Sequence, residues 1–359
     1  MLGDRQLAEK LVDRIVLAAL VATSVSCADT HEGYSPPEGL EVKRLVVSEL
    51  LVERDIRGLT YDFVVQGSRM VVADVYADSA IVVFDTAGTV LRRLGPKGEG
   101  PGETGVITDL EVRGDTAWLW DTSLSRLYSL DLADPQAGLV GRTLPAPGEG
   151  TVAAVHRANN RFYGTGASRQ GTFAEWSADS STVHWKGEHS RLVRRLPKEQ
   201  WLHVAYTFSA IQPDLGRLAL GLHQTGEFLI VDLATGETLS ERQVGSWPIL
   251  TERITRGDMW KYRMTEEAIM GYYGASASSG HVAALFIGKP EAEADLENSY
   301  DARDIHVFDW NGELIDIYRL DRPVVDIALT EDRLYGLIVE PIPQIRVWRL
   351  PKVIQAPCF

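Results

Sequence analysis

The chain has 359 residues, 45% of them apolar and 24% charged, a globular composition that excludes wholesale disorder and allows two domains or one large all-β unit. Thirty-six basic residues against 50 acidic give a formal charge of −14, and no cluster of Lys and Arg is visible, so a nucleic-acid partner is disfavoured. Two cysteines, Cys27 and Cys358, are too few for a disulfide framework or a cysteine-rich zinc module.

Residues 1–26 read as a signal peptide or membrane anchor. The apolar run IVLAALVATSV (15–25) is 11 residues long, the length of a signal-peptide core and short of the roughly 20 that a spanning helix needs. Arg5, Lys10 and Arg14 precede it, although Asp4, Glu9 and Asp13 offset their charge. Ser24, Val25 and Ser26 then lead to Cys27 in an order that resembles a bacterial lipobox, with Ser24 where leucine is usual. On that reading Cys27 is the lipid attachment site. Two other readings stand beside it: an amphipathic N-terminal helix with Leu7, Leu11 and Ile15 on one face, and a disulfide from Cys27 to Cys358 if the termini meet. The polar, Gly- and Pro-containing residues 27–40 form a tether.

From residue 58 onward the chain repeats a unit of about 40 residues, with almost no helical periodicity. Each unit offers short alternating strands, one of which ends in an apolar–Asp pair before a turn. The clearest copy is 58–95, where MVVAD, AIVVFD and TVLRRL are separated by YADS and TAG. Further copies are expected at 106–145, 151–187, 205–244, 268–321 and 323–351. One four-stranded sheet leaves two apolar faces open, and stacking sheets radially covers both. The expected fold class is therefore all-β: a single six-bladed β-propeller over residues 41–359, behind the N-terminal signal or anchor segment. The last unit lacks a convincing fourth strand, and residues 41–53 carry spare strands to complete it.

The segment VADVYADSAIVVFDTAGTVLRRLGPKGEGPGE (72–103) resembles an NHL-type propeller repeat. Its exit loop GPKGEGPGE also resembles the G-x-G-P-G-E loop of bacterial six-bladed β-propeller lipoproteins related to TolB and NHL propellers, with Thr104 where that family usually has an aromatic residue. The likeness runs over about residues 58–351. It implies the fold and is silent on activity, because a propeller supports many unrelated functions.

Residue patterns that could carry chemistry are sparse. The loop 95–103 lacks the spacing of a phosphate cradle, leads into a strand, and carries Glu99 and Glu103, so it reads as a blade connection. Eight scattered histidines include no H-E-x-x-H or H-x-H pair. His223 and His281 read as satisfied sheet residues. The absence of G-x-S-x-G removes a nucleophile elbow but not other serine arrangements. Asp74, Asp121, Asp131, Asp232 and Asp309 end strands and read as turn residues, with a central metal as the minor alternative.

Two insertions break the repeat. Residues 245–280 hold Trp247, Trp260, Tyr262, Tyr272 and Tyr273, with a short helix expected at their centre, and these five aromatics are the interaction candidates. The acidic stretch 289–304 reads as a solvated loop without EF-hand spacing. The expectation is a binding module at the cell envelope, on the periplasmic or extracytoplasmic face. It would be held to the membrane by an N-terminal lipid or helix and would meet an unknown protein or extracellular ligand. No catalytic residue, cofactor or metal is assigned. The alternatives are a propeller hydrolase or lactonase with a divalent metal in the central tunnel, and an accessory subunit of a membrane protein complex.

Overall fold

The computed structural model describes residues 36–351 except for a few short stretches, the longest being 294–301. Residues 1–26, Cys27 and Cys358 lie outside the described residues. Among those described, no helix is long and apolar enough to cross a membrane.

Short β-branched and aromatic runs punctuated by Gly and Asp turns fold into six antiparallel sheets arranged as blades. Blade I comprises Thr60–Gln66, Arg69–Asp74, Ser79–Asp85 and Val90–Pro96. Blade II comprises Ile107–Arg113, Thr116–Asp121, Arg126–Asp131 and Val140–Thr143. Blade III comprises Thr151–Ala158, Arg161–Ala167, Phe173–Trp176 and Val183–Lys186. Blade IV comprises Thr207–Gln212, Arg217–Leu222, Glu227–Asp232 and Thr238–Gln243. Blade V comprises Tyr272–Ala277, His281–Phe286, Ala302–Asp309 and Leu314–Val324. Blade VI comprises Asp326–Leu329, Arg333–Ile338 and Gln344–Arg349, with Glu49–Glu53 added antiparallel to the last of these.

The first strand of every blade packs beside the first strands of its two neighbours, in the ring order I–II–III–IV–V–VI–I. The middle strands carry near-continuous apolar runs because both of their faces are covered by the next blade. Phe228 of blade IV, for instance, stacks on Phe308 of blade V at 3.8 Å between centroids.

The structure divides segment 41–53 between two blades. Glu49–Glu53 completes blade VI, while Val42–Leu45 lies parallel to Leu314–Val324 and becomes a fifth strand of blade V. The 11-residue Leu314–Val324 strand offers an outer edge long enough to be covered in this way.

The insertion after blade IV is a hairpin, Thr251–Arg256 with Met259–Met264, and not the helix expected at its centre. Two alternating runs on either side of a Gly–Asp pair satisfy strand pairing better than helical packing. The chain between blades III and IV forms short helical turns, Arg191–Arg195 and Trp201–Val204, that the repeat pattern did not foreshadow. Ser190 caps the first of them, its hydroxyl accepting from Val193 N–H at 3.3 Å.

Candidate functional site in the central channel

The six inner strands enclose a channel of about 1060 Å³ whose two walls differ in chemistry. Blades VI, I and II contribute carboxyls: Asp326, Asp62, Asp109 and Glu111. Blades IV and V contribute rings, with Phe208 5.2 Å from Tyr273, and His223 within 6.3 Å of Tyr206, Phe208 and Tyr273 between centroids.

The carboxyls first serve the fold. Inner-strand N–H groups on the free edge of a blade have no ladder partner, and each of these carboxyls takes one from the next blade. Asp326 accepts from Phe63 at 2.9 Å, Asp62 from Leu110, Asp109 from Val155 at 3.0 Å, and Glu111 from Arg157 at 2.9 Å. The seams VI–I, I–II and II–III are thereby stitched. On the far side Ser276 accepts from Leu329 N–H at 2.9 Å and closes V–VI.

Stitching leaves Asp109, Glu111 and Asp326 buried and crowds half-buried Asp62 against them, so these carboxyls do not titrate ordinarily. Burial raises Asp109 to about 6 and Asp326 to about 7. Burial and the charges of Asp326 and Asp109 lift Asp62 well above the carboxylate range. Asp62 and Asp326 act directly on each other's titration across the VI–I seam, so the pair takes up and releases protons together. Burial also opposes ionisation of Glu111, but the bond and charge of His156, with Arg113 and Arg157 N–H, outweigh it and hold this carboxyl low. For His156 burial favours the neutral ring, yet Asp109 and Glu111 prevail and raise it above the ordinary histidine value.

His156 is the junction of the polar wall. Its Nε2 lies 2.7 Å from Ser209 Oγ, and its Nδ1 lies 3.7 Å from Glu111 Oε2. Ser209 Oγ is in turn 2.6 Å from the buried Thr165 hydroxyl. His223 is neutral, pushed down to about 4 by burial, with Nδ1 2.9 Å from Tyr272 O. Among the described residues no three His, Cys, Asp or Glu side chains are arranged to hold a metal ion.

The three aromatic candidates whose side chains are described, Tyr262, Tyr272 and Tyr273, lie in different surroundings. Tyr273 lines the channel. Tyr272 is fully buried between blades IV and V, its hydroxyl 3.1 Å from His306 Nδ1, and it presents nothing to a partner. Tyr262 sits in the hairpin with its ring 6.4 Å from that of His203. Trp260 belongs to the same hairpin strand, while its side chain and the whole of Trp247 lie outside the described residues.

Four of the five strand-ending aspartates bond backbone N–H groups with their side chains, while Asp74 is fully buried in blade I. Asp121 accepts from Gly105 at 2.6 Å and Leu124 at 3.0 Å, Asp131 from Ala133 at 2.8 Å, Asp232 from Thr235 at 2.8 Å, and Asp309 from Asn311 at 2.9 Å. The loop 95–103 closes on itself through Glu103, which accepts Gly100 N–H at 2.8 Å. A Cβ at Gly98 would sit 2.0 Å from that carboxylate.

A ring of six blades, five of them four-stranded and one extended to five strands, around a lined channel defines a β-propeller. The family model described as TolB-like 6-blade propeller-like matches residues 58–332, and the chain belongs to that family. Among solved structures, a DUF4221 family member from Bacteroides vulgatus is similar at 10% identity and a TM-score of 0.56, over 88% of this chain and 98% of that one. A protein from Bacteroides fragilis described as exported is similar at 11% identity and a TM-score of 0.51, over 87% and 95% of the two chains. At these identities the likeness is one of fold. No functionally curated protein matches the sequence.

Proposed function

We propose that the protein is an exported, lipid-anchored propeller of the cell envelope that binds a small ligand in its central channel. The observation that carries this reading is the channel itself: a cavity of about 1060 Å³ with an aromatic wall opposite a few convergent polar groups, the usual make-up of a small-molecule site. The signal-like residues 1–26 and the lipobox-like approach to Cys27 support export and anchoring, and a fold relative described as exported is in keeping with them.

The test is a thermal-shift screen of neutral and cationic small molecules, including primary amines, esters and lactones, against wild type and Gly274→Trp. Gly274 lines the channel, and a Cβ there would lie 3.5 Å from Asp326 Oδ1 and 3.7 Å from Leu285 Cβ, so a large side chain at this position crowds the V–VI side of the channel. Compounds that stabilise wild type and not Gly274→Trp are expected. A screen in which every stabilising compound acts equally on both would refute channel binding.

A further inference from the structure

We propose that Ser209, His156 and Glu111 form a nucleophile–base–acid array that hydrolyses a neutral or cationic ester or lactone in the channel. The inference rests on the channel being the ligand site. Three consecutive blades present the three groups in order, Glu111 from blade II, His156 from blade III and Ser209 from blade IV, all on inner strands that line the cavity.

The contacts assign the roles. Glu111 stands at His156 Nδ1 at 3.7 Å, which favours the tautomer with the proton on Nδ1 and leaves Nε2 to accept from Ser209 at 2.7 Å. Arg113 and the N–H of Arg157 hold Glu111 in place. Thr165, buried behind Ser209 at 2.6 Å, can donate to the serine oxygen and so direct the serine proton toward His156.

The backbone adds a donor. His223 N–H bonds Tyr206 O at 3.0 Å, which sets the alternation of the Thr207–Gln212 ladder. On that alternation Ser209 N–H falls on the free inner edge of the strand, facing the channel beside its own Oγ. A carbonyl oxygen placed there meets a fixed N–H as negative charge develops on it.

In the reaction Ser209 Oγ attacks the carbonyl carbon while His156 Nε2 takes the hydroxyl proton. The C–O bond to the leaving group breaks, and His156 returns that proton to the departing alcohol. Water then attacks the acyl-serine, giving one proton to His156 and its oxygen to the acyl group. The carboxylic acid leaves and Ser209 recovers its proton. The wall of Tyr206, Phe208 and Tyr273 beside the serine suits an apolar acyl group, while the ionised Glu111 behind His156 disfavours an anionic substrate. His156 is faced by Asp109, Glu111 and Arg113 from blade II, by Thr165 of its own blade and by Ser209 of blade IV. The two carboxyls hold its proton, so the rate should rise with pH above the ordinary histidine value.

The test treats purified full-length protein with a fluorophosphonate and, separately, with 4-nitrophenyl butyrate. One phosphonyl group on the Ser209 peptide is expected by mass spectrometry, together with saturable hydrolysis. Ser209→Ala and His156→Gln should lower the hydrolysis at least about 100-fold, and Glu111→Gln should lower it less. Absence of label on Ser209 in wild type, or a wild-type rate in Ser209→Ala, overturns the assignment without depending on whether a variant folds. If labelling fails while Gly274→Trp still abolishes small-molecule stabilisation, the hydrolytic assignment falls and channel binding stands. If both fail, both fall.

Discussion

Asp62, Asp109 and Asp326 each do two jobs: they take an orphan N–H from the next blade and they place acid in the channel. The second job opposes the first as pH rises. A carboxyl whose folded pKa lies above its unfolded value near 3.9 holds its proton more tightly when folded. The stability it brings is complete below that value and is lost as pH passes through about 6 for Asp109 and about 7 for Asp326. Asn at 326 keeps an acceptor for Phe63 N–H and carries no titrating proton. We therefore expect Asp326→Asn to lose less melting temperature than wild type between pH 5 and pH 8, with a stability difference on the order of 2 kcal/mol at pH 8. A decline as steep as that of wild type would show that the pair is not protonated in the folded state. The three aspartates stand in the sequence as Y-D-F, T-D-L and V-D-I in the first strands of three repeats, a weaker pattern than the apolar–Asp pairs that end later strands. Glu111, His156 and Ser209 had no such signal. They lie about 50 residues apart with no shared motif, and only the ring closure brings neighbouring members of the set within 4 Å of each other.

Among the elements, the strand Glu49–Glu53 carries a disproportionate burden, because it supplies the outer edge of the last blade from the other end of the chain. Val52 is buried with Tyr335, Leu337, Ile345 and Val347 of that blade. Val52→Asp places an unpaired carboxylate there and should cost at least about 3 kcal/mol, read as a lower urea midpoint. An unchanged midpoint would mean that the closing strand is dispensable. Gly88, in the Asp85–Thr89 turn of blade I, abuts the same strand: it has φ +84°, and a Cβ would lie 1.9 Å from Leu51 O. Gly88→Ala should thus destabilise by roughly 2 kcal/mol or more, whereas Gly67→Ala, also at positive φ but with open space around it, should cost only about 1 kcal/mol. Equal losses in the two variants would remove the contact with Leu51 from the account. The hairpin of Thr251–Arg256 with Met259–Met264 stands where a helix is expected: a 14-residue window rich in aromatics and charges fits helix and strand patterns alike, and the pairing of its two halves decides for strands.

For the molecule as a whole, periodicity settled what length left open. Six units of one composition cannot bury their faces separately, so the chain closes into one ring, and the first strand of each unit becomes channel wall. Blade count and order were readable because they depend on local strand and turn patterns repeated six times. The channel chemistry was not, because it depends on which faces meet across the ring. At this scale Cys27→Ala is expected to move the protein from the membrane to the soluble envelope fraction, and retention of the variant in the membrane would exclude lipid on Cys27 as the sole anchor. The claim that the central channel is the working part of the protein is tested most directly by native mass spectrometry of the protein isolated from cells. Wild type is predicted to carry a small-molecule mass beyond that of its covalent chain, and Gly274→Trp to carry none. Identical masses for the two, with nothing bound to either or the same molecule bound to both, would contradict it.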